Sequence, residues 1–129
     1  MSVLNAIEVV TLFVDDIDEA RAFYQTVFAA EVIYTDAVSQ VLNFNGLWVN
    51  LLQISQASQL VSPLPVAPSQ AGSRMLLTIR VVDVDAVCDN LSSRGIALLN
   101  GPIDRPWGRR TAAFADPSGH VWEVAHELG

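Results

Sequence analysis

A carboxylate inside a strand-like run is the first candidate for chemistry in this chain. Glu123 lies within Val121-Trp122-Glu123-Val124-Ala125, and strand alternation points its side chain away from Trp122 and Val124. Such a carboxylate pairs with a cation such as Arg80 or Arg109, meets a cationic or hydroxyl group of a ligand, or serves as a base. Arg80 ends another apolar run. Its planar fork suits a carboxylate or phosphate in bidentate fashion, or else pairs with Glu123 or with a residue of a second copy. Arg105-Pro106-Trp107-Gly108-Arg109 places an indole in irregular backbone, where it can stack on an aromatic or cationic group. Trp48 has the same choice between ligand platform and core. His120 follows the turn-type segment Asp116-Pro117-Ser118-Gly119, and His126 lies near the C-terminus; neither is placed to be a ligand or base. Cys88 falls on a helical apolar stripe and reads as a small hydrophobe. No phosphate-binding loop and no nucleophile–base–acid pattern occurs.

The elements that must position these residues are written twice. Val14-Asp15-Asp16-Ile17-Asp18 returns as Val81-Val82-Asp83-Val84-Asp85, each after a β-type run and before a helical pattern. Residues 7–14 read as a strand buried on both faces. Asp16 suits an N-cap, with Glu19 completing a capping box. Ile17, Ala20, Phe23, Tyr24, Val27 and Phe28 follow at helical spacing. Residues 31–35 read as a strand, and 41–44 with 47–53 as a hairpin around Asn45-Gly46. Residues 55–73, rich in Ser, Gln, Pro and Ala, show no periodicity and read as a linker. In the second copy a strand is expected over 75–81. Asp83 caps a helix whose stripe is Val84, Val87, Cys88 and Leu91, and Gly95 stops it. Short strands follow over 97–100, 111–115 and 121–125. The expected organisation is one domain made of a module at about 5–54, a linker at about 55–73 and a module at about 74–129. Ligand pockets favour the interface of such a duplicated pair.

Composition narrows the function classes. Hydrophobic residues make up 51% and charged ones 16%, which argues against disorder. The formal net charge of −7, with only 7 basic residues, makes nucleic acid an unsuitable partner. Long-range attraction then favours cations. No apolar run approaches the roughly 20 residues of a membrane span. Residues 1–6 lack the basic region of a secretory signal, and the single cysteine precludes an internal disulfide; the expected location is the cytoplasm.

With the repeat, the capped helices and the ending Asp116-Pro117-Ser118-Gly119-His120-Val121-Trp122-Glu123-Val124, the chain resembles the vicinal oxygen chelate superfamily. That group includes glyoxalase I, bleomycin and fosfomycin resistance proteins and extradiol dioxygenases. The resemblance is carried by residues 10–16 with Phe23-Tyr24, by residues 81–85 with Gly95, and by the terminal motif. It implies an α+β fold of two βαβββ modules forming a curled, incomplete mixed β-barrel, in a protein that forms homodimers. Enzymes of the family hold a divalent metal at four positions that fall here on Val9, Asn50, Leu76 and Glu123. Only Glu123 is a strong donor, so no metal and no other cofactor is expected.

Through the same resemblance, those positions define a cleft face by strand alternation. It carries Val9, Thr11 and Phe13; Trp48, Asn50 and Leu52; Leu76, Thr78 and Arg80; Val121, Glu123 and Ala125; and Thr111, Ala113 and Arg109. The expected ligand-binding residues are Phe13, Trp48, Asn50, Thr78, Arg80, Trp107, Arg109 and Glu123. Glu123 is the catalytic candidate if the protein is an enzyme. Three functions compete. The first is a metal-independent protein that binds a small molecule of cationic or aromatic character, as bleomycin resistance proteins do. The second is a lyase, isomerase or dioxygenase-type enzyme using Glu123 with an atypical metal or none. The third is a dimeric structural module with an unused cleft.

Overall fold

The structure is a computed structural model in which residues 3–129 are described. The chain divides into two compact units, residues 1–69 and 70–129, each built on one four-stranded mixed sheet.

In the first unit, β1 (Val9–Val14) leads into α1 (Ile17–Val27), followed by β2 (Glu31–Thr35), β3 (Ser39–Phe44) and β4 (Leu47–Gln53). The sheet order is β1-β4-β3-β2, with β1 and β4 parallel and the remaining pairs antiparallel. Asp16 starts α1 by accepting from the Asp18 and Glu19 backbone N–H groups. Ile17, Ala20 and Tyr24 bury the apolar stripe together with Leu12, Val14, Val49 and Leu51. Tyr24 stacks on Phe28, which meets Phe44 edge to face. The β3–β4 turn uses Asn45 and Gly46 at φ 54° and 103°, the positive pair that suits a two-residue hairpin.

The second unit repeats the plan. β5 (Leu77–Arg80) precedes α3 (Val84–Ser93), β6 (Leu98–Asp104), β7 (Arg109–Ala115) and β8 (Val121–Glu127), in the order β5-β8-β7-β6. Asp83 caps α3 by accepting from the Ala86 N–H, and Gly95 ends it at φ 78°. Val84, Cys88 and Leu91 pack with Ala112, Phe114, Trp122 and Val124. Burial raises the Cys88 thiol pKa, with Asp85 and Asp89 adding to the shift, so the thiol stays protonated and unreactive. Both sheets are open-edged, and together the units give the two βαβββ modules of the glyoxalase fold.

Some boundaries differ from the sequence reading. β1 begins at Val9, because Ile7 lies outside the sheet and is 75% exposed. β5 begins at Leu77, leaving Met75 and Leu76 exposed ahead of it. β6 extends to Asp104, since pairing with β7 carries a weak local pattern through Gly101-Pro102. The 55–73 stretch holds a helical turn, α2 (Ser58–Val61), between 3₁₀ turns at Ile54–Gln56 and Ser69–Ala71. Turns this short carry too few apolar positions to show a period.

Candidate functional site

The parallel pairs β1–β4 and β5–β8 place corresponding residues of the repeat opposite one another. Thr11 lies opposite Asn50 in the first, and Thr78 opposite Glu123 in the second. In each sheet α1 or α3 covers one face. The other, helix-free face carries the residues expected to meet a ligand.

In the second sheet that face is polar and ordered. Thr78 Oγ1 donates to Glu123 Oε1 at 3.0 Å. Four residues along β8, Glu127 Oε1 accepts from Arg109 Nε at 2.8 Å and from Arg80 Nη2 at 3.4 Å. Arg109 first, and Arg80 to a lesser degree, hold the Glu127 carboxyl below the usual carboxylate range. Arg105 folds back from the β6–β7 turn, donating through Nε to Thr111 Oγ1 at 2.9 Å and through Nη2 to Asn100 Oδ1 at 3.0 Å. Its Cζ lies 6.0 Å from the Trp107 ring centroid, at the edge of cation–π range.

In the first sheet the same face is nearly uncharged. It presents Thr11, Phe13, Trp48 and Asn50. Asn50 Oδ1 is buried with no hydrogen-bond partner among the described residues. An unmet buried oxygen costs about 1–3 kcal/mol, which a donor on a bound ligand would recover.

The structure decides between alternatives that the sequence left open. Glu123 forms no ion pair with Arg80 or Arg109; both arginines turn to Glu127, and a threonine hydroxyl serves Glu123. Trp48 and Trp107 are not core residues: they are 37% and 67% exposed, and Trp122 is the buried indole. Leu52, Thr111, Ala113 and Ala125 are buried although they share the helix-free face, so they contribute floor rather than contact groups. Glu127, Arg105 and Asn100 belong to this face and were missed. Alternation from Glu123 already points to Glu127, but that signal disappears when the strand is ended at Ala125. Nothing local announces that Arg105 bends back over Thr111.

Both histidines are engaged through Nδ1. His126 Nδ1 accepts from the Val84 N–H at 2.9 Å, which makes it a second cap on α3, and His120 Nδ1 lies 2.8 Å from Asp116 Oδ2. Asp116 also accepts from the Ser118 and His120 backbone N–H groups and so builds the turn before β8.

The donor set does not fit the metal that the fold family implies. Val9 and Leu76 are alkyl, Asn50 offers one amide oxygen and Glu123 one carboxylate. Among the described residues no three His, Cys, Asp or Glu side chains come together as a metal site. No described helix is long and apolar enough to cross a membrane.

A protein built from paired modules of this topology, with a polar strand face and a depleted chelating set, falls in one class. The chain belongs to the Glyoxalase/Bleomycin resistance protein/Dioxygenase superfamily, whose family model matches residues 6–124. It is similar to the metallothiol transferase FosB of Lysinibacillus sphaericus (strain C3-41), at 25% identity over 111 residues, 85% of this chain and 74% of that protein. A glyoxalase/bleomycin resistance protein/dioxygenase from Nocardioides has the same fold at TM-score 0.85 and 21% identity, over 99% of this chain and 87% of its own. So does TnmS3, an antibiotic binding protein from Streptomyces sp. CB03234, at TM-score 0.71 and 23% identity, over 98% of this chain and 99% of its own.

Proposed function

We propose that this protein binds a small organic molecule on the helix-free faces of its sheets, without a family-type metal and without transforming it. The donor set carries this reading: of Val9, Asn50, Leu76 and Glu123, only the last is a strong metal ligand. The residues in contact are Phe13, Trp48 and Asn50 from the first sheet and Thr78, Arg80, Trp107, Arg109 and Glu123 from the second. Glu123 receives an ammonium or hydroxyl group of the ligand, oriented by the Thr78 hydroxyl on its other side. The exposed indoles supply flat apolar surface. The likeness to TnmS3 supports a binding role. The units act as one cytoplasmic domain that assembles as a homodimer. Exposed Val32, Ile33 and Tyr34 on the edge strand β2 support that assembly.

One observation favours a second reading. Glu123 is the one carboxylate on its face with no arginine partner among the described residues, which suits a proton-transferring base in a metal-free lyase or isomerase. The likeness to a transferase supports an enzymatic role, though not a metal-free one.

Thermal unfolding of chelator-treated protein against a panel of aromatic amines and metabolites tests the proposal. The expected result is a stabilising ligand whose effect needs no divalent metal, is weakened about tenfold or more by Glu123→Gln, and leaves the ligand unchanged after incubation. Stabilisation that appears only with added metal, or product formation abolished by Glu123→Gln, rejects it in favour of the enzyme.

A further inference from the structure

We propose that the second sheet is an anion receptor: the ligand carries a carboxylate or phosphate group, taken between Arg80 and Arg109. This rests on the binding reading above and names the charge of what is bound.

All 7 basic residues of the chain are arginines, and three of them, Arg80, Arg105 and Arg109, gather on one sheet face of a protein with a formal net charge of −7. Only Glu123 and Glu127 stand against them there. Thr78, an uncharged partner, holds Glu123 one strand row away. The end of the sheet therefore has two guanidinium groups sharing a single carboxylate oxygen, Glu127 Oε1. One carboxylate cannot neutralise two guanidinium groups, so a positive charge remains.

The count of donors leads to the same conclusion. A guanidinium has five N–H donors. Arg109 spends only its Nε on Glu127, and Arg80 only one terminal nitrogen, at the weak distance of 3.4 Å. Among the described residues their other nitrogens meet no acceptor, and the Arg80 side chain is 72% exposed. A bridge serving only to tie β7 to β8 would need Arg109 alone. The second arginine makes a fork suited to the two oxygens of a carboxylate or the three of a phosphate. Trp107, in the turn that leads into Arg109, offers a ring face for the body of such a ligand.

Whole-chain acidity suggested a cation, but salt screens distant carboxylates beyond about 8–10 Å, and the contact charges decide. The Arg80 and Glu123 rows lie about 7 Å apart along the strands, two residues of rise. The ligand is thus dipolar, with its anion at the arginines and a donor at Glu123.

Calorimetric titration of the full chain with benzoate, phenyl phosphate, benzamide and benzylamine is the test. The expected result is that benzoate or phenyl phosphate binds at least tenfold more tightly than benzamide; the better of the two identifies the anion. Arg80→Gln should remove that preference. Glu127→Gln should raise anion affinity severalfold, because it deletes the competing carboxylate, whereas a purely structural ladder predicts no gain. Equal affinity for benzoate, phenyl phosphate and benzamide overturns the inference, as does unchanged anion affinity in Glu127→Gln. If benzamide or benzylamine still binds, the binding function stands without the anion site. If none of the four binds, both are overturned.

Discussion

The two units share a blueprint and differ in what they write on it. Both pair the strand before the helix in parallel with the last strand, and both place a threonine opposite a polar residue at the centre of the helix-free face. Both support the helix start with an aspartate cap and with an acceptor from the last strand: Gln53 Oε1 takes the Ile17 N–H at 2.9 Å, and His126 Nδ1 takes the Val84 N–H. At the ligand face the copies diverge. Phe13 is matched by Arg80, Asn50 by Glu123 and Leu52 by Ala125. Duplication preserved the bonds that set backbone geometry and released the face that sets chemistry. The first unit offers mostly apolar and amide surface, and the second carries most of the charge.

The largest effects should come from the cores. Leu51→Ala in the first unit and Trp122→Ala in the second should each cost about 3–5 kcal/mol, since both side chains are almost fully buried. If the units are one cooperative domain, each variant shifts a single calorimetric transition; two transitions, each moved by only one variant, would break that picture.

Next are the turns before the last strands. Asp116 is 4% exposed and holds two backbone N–H groups, so Asp116→Ala should cost about 2–3 kcal/mol. The matching turn uses Asn43 Oδ1 on the exposed Gly46 N–H, and Asn43→Ala should cost about 1 kcal/mol or less. Denaturant midpoints give both values, and equal losses would contradict the contrast.

The second helix caps are a smaller and sharper comparison. Gln53→Ala and His126→Ala should each cost about 1 kcal/mol, while His126→Gln should recover most of the loss by supplying an amide oxygen. Failure of glutamine to rescue would mean that His126 serves something besides the cap.

The smallest effects are electrostatic. In the first unit Asp36 is held below the usual carboxylate range mainly by the Val38 N–H, with Tyr34 and Ser39 helping. In the second, Asp85 is lowered chiefly by a hydrogen bond from Arg110, and Glu127 by one from Arg109. A carboxylate depressed on folding stabilises the native state above its unfolded value of about 4, and that stability disappears as pH falls through the lower folded value. Stability should thus be level above about pH 5 and fall in acid. Added salt and Arg110→Gln should each flatten the part owed to Asp85 and leave that of Asp36. An acid slope unchanged in Arg110→Gln at low salt would contradict the assignment.

Much of the fold was legible because its signals are local: Asp16 and Asp83 as caps, Asn45-Gly46 as a hairpin turn, and the stripes of α1 and α3 at helical spacing. The face of each strand followed from alternation, which is why Glu123 could be set on the face opposite Trp122 and Val124. What escaped depends on long-range pairing. Whether Arg80 meets Glu123 or Glu127 turns on a diagonal between strands, and the bend of Arg105 over Thr111 depends on the shape of a turn. The burial of Leu52 and Ala125 depends on neighbours far away in sequence. The deficit of metal donors followed from the residue types at the four positions that the family resemblance implies, since no arrangement makes Val9 or Leu76 a ligand.

That deficit is open to direct measurement. Chelator-treated protein would be dialysed against micromolar Zn, Ni, Mn or Fe(II) and its bound metal counted. Well under one ion per chain, with no change in Glu123→Gln, is the predicted result. One tightly retained ion per chain, lost on Glu123→Gln, would contradict it and return the protein to the chelating enzymes of its superfamily.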